Sequence, residues 1–290
     1  MKTMVITGAT GGIGIHTAIG LARTGARVVV TGRNAERGAA AVERIQSESG
    51  SQTVELVTGD LSTIASTKAL AAAIAERVEQ IDVLINNAGL LATARTENAD
   101  GFEADFGVNV VAPYYLTRAL LPLLEKADAP RVINVTGGTA EGALDISDLQ
   151  ARNGFVALPS YSNTKRALEA LSMLEAKALQ PKGVHLHVVY PGRASTAMTR
   201  AMTAKSLPWF MRPAFPVFKM MLQGEDGGKS AEKASRSSIY AATTMDLSGK
   251  YGLYVDTNSR IKKLHATVMD PRNQAAVLEA VKNPTVVSQA

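Results

Sequence analysis

Hydrophobic and polar positions follow two alternating periods along this chain. The run "TMVIT" (Thr3 to Thr7) is short, apolar and β-branched, and a glycine cluster ends it. In "GIHTAIGLARTGA" the period lengthens: Ile15, Ala18, Ile19 and Ala22 share one helical face, and Gly25 is a stop signal. "RVVVT" (Arg27 to Thr31) has β-branched residues on both faces, the pattern of a parallel strand covered by helices on both sides. The alternation continues with strand 53–58, a helix over about 62–79, strand 81–86, a helical stretch over about 99–127 and strand 131–136. After a loop come a helix over about 160–179, strand 183–190, an irregular segment to about 228, a helix over about 229–244 and a short strand at 252–256.

Six βα units followed by a seventh strand predict an α/β fold. The expected form is a Rossmann-type doubly wound parallel seven-stranded sheet with helices on both faces. Such sheets bind ligands outside the carboxyl ends of their strands, where the winding reverses. No Gly, Ser or Pro-rich linker divides the chain, so residues 1–290 read as one domain, with a substrate lid at about 194–228.

Composition narrows the chemistry. The 290 residues include no cysteine, which excludes a disulfide framework, a thiolate zinc site and a cysteine nucleophile. Hydrophobic content of 46% with 20% charged residues is that of a globular protein rather than a disordered one. The net charge is +5, but the lysines and arginines are scattered with no run of five. That pattern reads as a basic enzyme with anionic small ligands and no nucleic acid. The start "MKTMVITG" reaches a glycine turn too soon for a signal peptide, and no apolar run approaches the ~18 residues of a membrane span. The cytoplasm is the default expectation. His16, His185, His187 and His265 form no metal constellation, and no Gly-x-Ser-x-Gly elbow suggests a hydrolase.

The segment "TGATGGIG" directly after the first strand places Gly8, Thr10, Gly11, Gly12, Ile13 and Gly14 at a strand-to-helix turn. Glycines allow the tight turn and let the backbone approach a pyrophosphate, which the helix N-terminus attracts. No Gly-Lys-Ser/Thr follows, so a nucleoside triphosphate loop is not supported. An NAD enzyme usually carries an acid at the end of the second strand to bind the ribose hydroxyls. Here the strand runs into Gly32, Arg33 and Asn34. The missing carboxylate and the guanidinium favour the 2′-phosphate of NADP(H), with NAD(H) and a solvent-exposed Arg33 as the alternative.

With these residues in place the chain resembles the short-chain dehydrogenase/reductase family over nearly its whole length. "NNAG" at 86–89 contains Asn87, Ala88 and Gly89; "YSNTK" supplies Tyr161 and Lys165; "PGRAST" contains Pro191, Gly192 and Thr196. "GDL" puts Asp60 and Leu61 where the family meets adenine, and Asn109 stands at the family's structural and catalytic asparagine. The insertion "EGALDISDLQARNGFVALPS" and the tail "GKYGLYVD…MDPRNQAAVLEAV" are similar to the retinol-dehydrogenase-like branch.

The chemistry has a physical basis of its own. Hydride transfer to a ketone leaves an alkoxide that needs a proton. A free tyrosine, with a pKa near ~10, is a poor base at neutral pH. Lys165 lies one turn along from Tyr161, and its cation would favour the phenolate. The resemblance implies that Lys165 also holds the nicotinamide ribose and that Asn109 holds a water relay to it.

One departure stands out. Relatives usually read Asn-Val-Ser-Ser after the fifth strand, and the second serine polarises the substrate carbonyl. This chain reads "NVTGGTA", so Gly137 takes that place in register. Thr136 and Thr139 are the nearest hydroxyls, and a one-residue slip makes Thr136 the candidate donor. Losing such a donor costs about 2.7–4 kcal/mol of barrier.

The segment "SLPWFMRPAFPVFKMML" at 206–222 holds the only Trp, three Phe and three Met, and three prolines that exclude one unbroken helix. It suits a large apolar substrate. Alternatives are ordinary core packing and contact with a membrane surface, with Arg212 and Lys219 at the headgroups. The sequence thus predicts an NADP(H)-dependent oxidoreductase interconverting a carbonyl and an alcohol on an apolar small molecule. Tyr161, Lys165, Asn109 and Thr136 are its catalytic candidates, and the resemblance implies a homodimer or homotetramer. The rival, motivated by Gly137, is a cofactor-binding regulatory or scaffold protein of the same fold without turnover.

Overall fold

The computed structural model describes residues 1–137, 142–192, 194–223 and 229–285. Its first half alternates β1 (Thr3–Ile6), α1 (Gly12–Ala22), β2 (Arg27–Gly32), α2 (Ala35–Ser49), β3 (Val54–Thr58), α3 (Ile64–Ala75) and β4 (Val83–Asn86). Then follow α4 (Ala104–Phe106), a π-turn (Gly107–Val111), α5 (Ala112–Leu124) and β5 (Arg131–Val135). The second half contains α6 (Ala157–Leu179), β6 (His185–Val189), α7 (Ala197–Arg200), 3-10 turns at Ala204–Ser206 and Trp209–Ala214, and α8 (Phe215–Gln223). It closes with α9 (Lys229–Thr243), β7 (Leu253–Val255), β8 (Ile261–Lys262), α10 (Ala266–Met269) and α11 (Pro271–Lys282).

The strands form one sheet in the order β3-β2-β1-β4-β5-β6-β7-β8. Strands β1 to β7 run parallel, as their apolar composition predicts. The expected seven strands become eight because Ile261 and Lys262 pair antiparallel with Val255 and Tyr254. Both residues of β8 are exposed, so no buried alternation marked them in the sequence.

Alternation along each strand sends side chains to opposite faces. Met4, Ile6, Val28, Val30 and Ile85 pack with Ile15, Ile19 and Leu21 of α1 on one side. Val5, Val29, Leu84 and Val132 pack with Ile74, Leu116, Leu120 and Leu179 on the other. A fully buried side chain of this size contributes about 1.5–3 kcal/mol, so both faces need their helices. A third cluster joins Phe102 and Phe106 to Leu168 and Leu171 of α6 and to Val277 and Val281 of α11.

The helical stretch expected over about 99–127 is not one helix. Pro113, at the start of α5, has no N–H to donate. Just before it the helix widens, and the Ala112 N–H reaches back to the Gly107 carbonyl. Asn109 lies in this π-turn, a feature that often marks functional sites. Deeper in the sheet, Asn86 Nδ2 donates to Asn134 Oδ1 at 2.8 Å and to Thr117 Oγ1 at 3.2 Å, and Asn134 Nδ2 donates to Ser172 Oγ at 2.8 Å. These buried amides tie β4 and β5 to α5 and α6, so the helices that carry the candidate residues share one anchor.

Candidate active site

The winding reverses between β1 and β4, and the glycine loop stands at the carboxyl end of β1. Thr7 organises this point. Its Oγ1 accepts the N–H groups of Asn87 and Ala88 at 3.0 Å, and its carbonyl accepts Asn87 Nδ2 at 2.8 Å. The loop and the "NNAG" turn thereby touch. A β-carbon on Gly8 would lie 2.9 Å from Ala88 Cα, and one on Gly14 would lie 2.5 Å from Asn87 Nδ2. Gly8 also has φ 66°, in the left-handed region that favours glycine.

Glycine at position 11 has a different reason. A β-carbon there meets nothing within 4 Å, so the loop faces open space. Gly11 is the N-cap of α1, no side chain caps that end, and its first turn holds no acid. The free N–H groups and positive dipole end are left for an anion. Thr196 approaches from the opposite side, its Cγ2 lying 3.2 Å from where a β-carbon on Gly12 would sit. Gly192, in the left-handed region at φ 82°, sets the turn between β6 and Thr196. This uncapped glycine cradle fits a pyrophosphate.

The rest of the predicted cofactor set lines the same edge. The Asp60 carboxylate accepts the Leu61 N–H at 2.9 Å and the Ser62 hydroxyl, which fixes its orientation. Asn34 caps α2 by accepting the Arg37 N–H at 2.7 Å. Arg33 beside it is exposed. Its guanidinium is in none of the ion pairs among the described residues.

Tyr161, Lys165 and Asn109 meet beside this cradle. Lys165 is buried, donates from Nζ to the Val135 carbonyl at 3.1 Å, and lies 5.8 Å from the centre of the Tyr161 ring. Asn109 is fixed by three bonds. Its Oδ1 accepts the Leu90 N–H at 2.8 Å, and its Nδ2 donates to the Leu90 carbonyl at 2.8 Å and to Thr164 Oγ1 at 3.0 Å. A β-carbon on Gly89 would lie 3.3 Å from Asn109 Oδ1 and 3.4 Å from Lys165 Nζ. The "NNAG" turn, the π-turn and α6 therefore converge on the lysine ammonium.

Burial governs the titration here. It pushes the Tyr161 phenol well above its ordinary value, helped by the negative charges of Asp105 and Tyr190. It pulls Lys165 down to about 8. The expectation that Lys165 lowers the tyrosine pKa has no counterpart among the causes of this shift, in which desolvation leads. Tyr161 is thus held as a protonated phenol.

Thr136 does not serve as a carbonyl donor in this geometry. It is buried, and its Oγ1 donates to Glu169 Oε1 at 2.7 Å and to the Lys165 carbonyl at 3.3 Å. The reason is register: the side chain after β5 turns toward α6, leaving Gly137 toward Tyr161. Thr139 lies outside the described residues.

Three positions near the site escaped the sequence reading. Thr164 links Asn109 to the Tyr161 carbonyl. Asp105, one turn before Asn109, is buried with Oδ1 on the Ala92 N–H, Oδ2 unpartnered and its pKa raised by burial to about 7. Glu169, one turn after Lys165, is likewise raised by burial to about 7. The spacing of four residues was the available signal for both acids. His187 is buried with both ring nitrogens unpartnered, and burial lowers its pKa to about 4. No group of three or more metal-ligating side chains occurs among the described residues.

A dinucleotide-binding fold with a tyrosine–lysine pair at its switch point defines a class of oxidoreductases. The family model for the short chain dehydrogenases matches residues 2–207. The chain belongs to the short-chain dehydrogenase family, in the branch of the retinol dehydrogenases. It is 32% identical to retinol dehydrogenase 13 of Homo sapiens over 258 residues, 88% of this chain and 76% of that protein. It is 31% identical to polyprenol dehydrogenase of Homo sapiens over 273 residues, 92% of this chain and 80% of that protein. A solved structure described as the Pseudomonas aeruginosa RhlG/NADP active-site complex superposes with a TM-score of 0.66 at 28% identity, over 88% of this chain and 94% of that one. The protein is an oxidoreductase of carbonyl and alcohol groups that uses a nicotinamide dinucleotide.

Proposed function

We propose that this protein is an NADP(H)-dependent enzyme that interconverts a carbonyl and an alcohol on a mainly apolar small molecule. The observation that carries the reading is the convergence of Asn109, Lys165 and Tyr161 beside the uncapped glycine cradle. The bound dinucleotide supplies or accepts the hydride. Gly8 to Gly14 and Thr196 hold its diphosphate, Asp60 and Leu61 its adenine end, and Asn87 to Gly89 its nicotinamide half. Arg33, exposed at the end of β2 and in none of the ion pairs among the described residues, would receive the 2′-phosphate.

Tyr161, kept protonated by burial, donates a hydrogen bond to the carbonyl oxygen and then the proton that quenches the alkoxide. Lys165 lies behind the phenol and compensates the charge left on it. Asn109 holds the Leu90 backbone and Thr164 in place around both groups. The likeness to retinol and polyprenol dehydrogenases supports an apolar alcohol or its carbonyl as substrate.

The test is NADPH consumption across a panel of aldehydes and ketones, with NADPH binding followed by its fluorescence. The wild type consumes NADPH. Tyr161→Phe binds it equally and loses about 10²–10⁴-fold in kcat. A variant with full activity overturns the mechanism. Tight binding with no consumption by the wild type favours the regulatory reading, which Gly137 motivates.

A further inference from the structure

Between the carboxyl end of β6 and α9, the chain exposes its largest apolar side chains. Trp209 is 77% exposed, Phe210 66%, Val217 58% and Met220 69%. The two rings of Trp209 and Phe210 pack edge to face at 6.0 Å, so they project as one unit. Val217 and Met220 share one face of α8 at i, i+3 spacing. The segment is nonetheless anchored: Met202, Ser206 and Leu207 are buried beneath it. An anchored segment that turns aromatic and aliphatic groups outward marks an interaction surface.

Charge identifies the partner. From Tyr190 through Gln223 the sequence contains no Asp or Glu; the next acids, Glu225 and Asp226, lie outside the described residues. Arg200, Lys205, Arg212 and Lys219 belong to this segment. None of them is in an ion pair among the described residues. The Lys219 ammonium lies over the Phe215 ring, 5.9 Å from its centre, so a cation and an aromatic face meet within this segment. Exposed Trp and Phe with interspersed basic groups match a lipid–water interface bearing negative headgroups. A protein partner of the same chain offers no complementary acid in this segment.

We propose that residues 200–220 dock on an anionic lipid bilayer, with Trp209, Phe210, Val217 and Met220 in the interface and Arg200, Lys205, Arg212 and Lys219 on the headgroups. The inference rests on the apolar-substrate reading for its purpose, since the Ala204–Ser206 turn of this segment packs against α6, which carries Tyr161, and the segment would take a lipid-soluble alcohol or carbonyl directly from the membrane.

Trp209 is the only tryptophan in the chain, so its emission reports this surface alone. The full chain with NADPH is mixed with vesicles of phosphatidylcholine, or of phosphatidylcholine with phosphatidylglycerol. With the mixed vesicles the emission moves to shorter wavelength, lipids brominated on the acyl chain quench it, and the protein co-sediments. High salt weakens the effect. Arg212→Gln and Lys219→Gln each lower partitioning by about fivefold. Phe210→Glu abolishes the shift while NADPH binding persists. Unchanged emission with the protein left in the supernatant overturns the proposal. So does a blue shift that grows with protein concentration without vesicles, which assigns the surface to a second copy. A shift caused by an apolar substrate alone, with no response to vesicles, assigns it to lid closure and also overturns it. NADPH consumption with a water-soluble aldehyde, measured without vesicles, tests the oxidoreductase reading separately.

Discussion

A β-carbon placed on Gly137 would lie 2.7 Å from the Tyr161 hydroxyl, so the phenol occupies the space into which any side chain at 137 would grow. Tyr161 is set in the first turns of α6 and is half-buried. Gly137→Ala must therefore push the phenol from its position. Displacements of about 1 Å cost about 10²-fold in rate. The expected outcome is a kcat lower by about that factor with NADPH affinity preserved, measured by steady-state kinetics beside a fluorescence titration. Unchanged kcat would show that the phenol is not confined by the glycine.

Thr136 gives the opposite expectation. Its hydroxyl satisfies Glu169 inside the protein rather than facing a substrate. Thr136→Val leaves that buried carboxyl short of a donor and lowers stability by about 1–3 kcal/mol. Chemical denaturation reads the loss, while kcat stays within a few-fold of wild type. A collapse of kcat with stability intact would return Thr136 to the role of carbonyl donor.

Arg33 decides the cofactor. A charge-assisted contact to the 2′-phosphate contributes about 1.5–3 kcal/mol. Arg33→Ala should weaken NADPH binding by at least about tenfold and leave NADH binding nearly unchanged. The two dissociation constants, measured side by side, check it. An unaltered ratio removes the argument for NADP(H).

Asp105 makes stability depend on pH. Its folded pKa of about 7 lies above the ordinary 3.8, raised by burial and then by Glu103. The folded protein keeps a proton that the unfolded chain releases. This contribution is complete below about pH 3.8 and is lost as pH rises through about 7. Asp105→Asn should remove one proton from that dependence, changing the slope of unfolding free energy by about 1.4 kcal/mol per pH unit within the window. Denaturation curves at several pH values for the two proteins test it; parallel dependences would show that Asp105 ionises normally in the fold.

The continuous β-branched runs of β1 and β2, the glycines after β1 and the four-residue step from Tyr161 to Lys165 are local, and local sterics decide them without the rest of the chain. Hence the parallel sheet, the uncapped loop and the tyrosine–lysine pair were legible. The added β8 was not, because two exposed residues carry no period. The break in the long helix was foreshadowed by Pro113 but not located, since the π-turn forms where Asn109 finds the Leu90 backbone.

The sequence by itself determined the class of fold, the glycine loop after β1 and the tyrosine–lysine pair on α6, each of which depends on backbone conformation or on neighbours within one helical turn. Only the tertiary structure decided where Thr136 sends its hydroxyl, how burial raises Tyr161 and lowers Lys165, and that Asp105 and Glu169 are buried near the same lysine. Those outcomes depend on desolvation and on contacts between residues far apart in the chain. Neither quantity exists until β5, the π-turn and α6 have packed together.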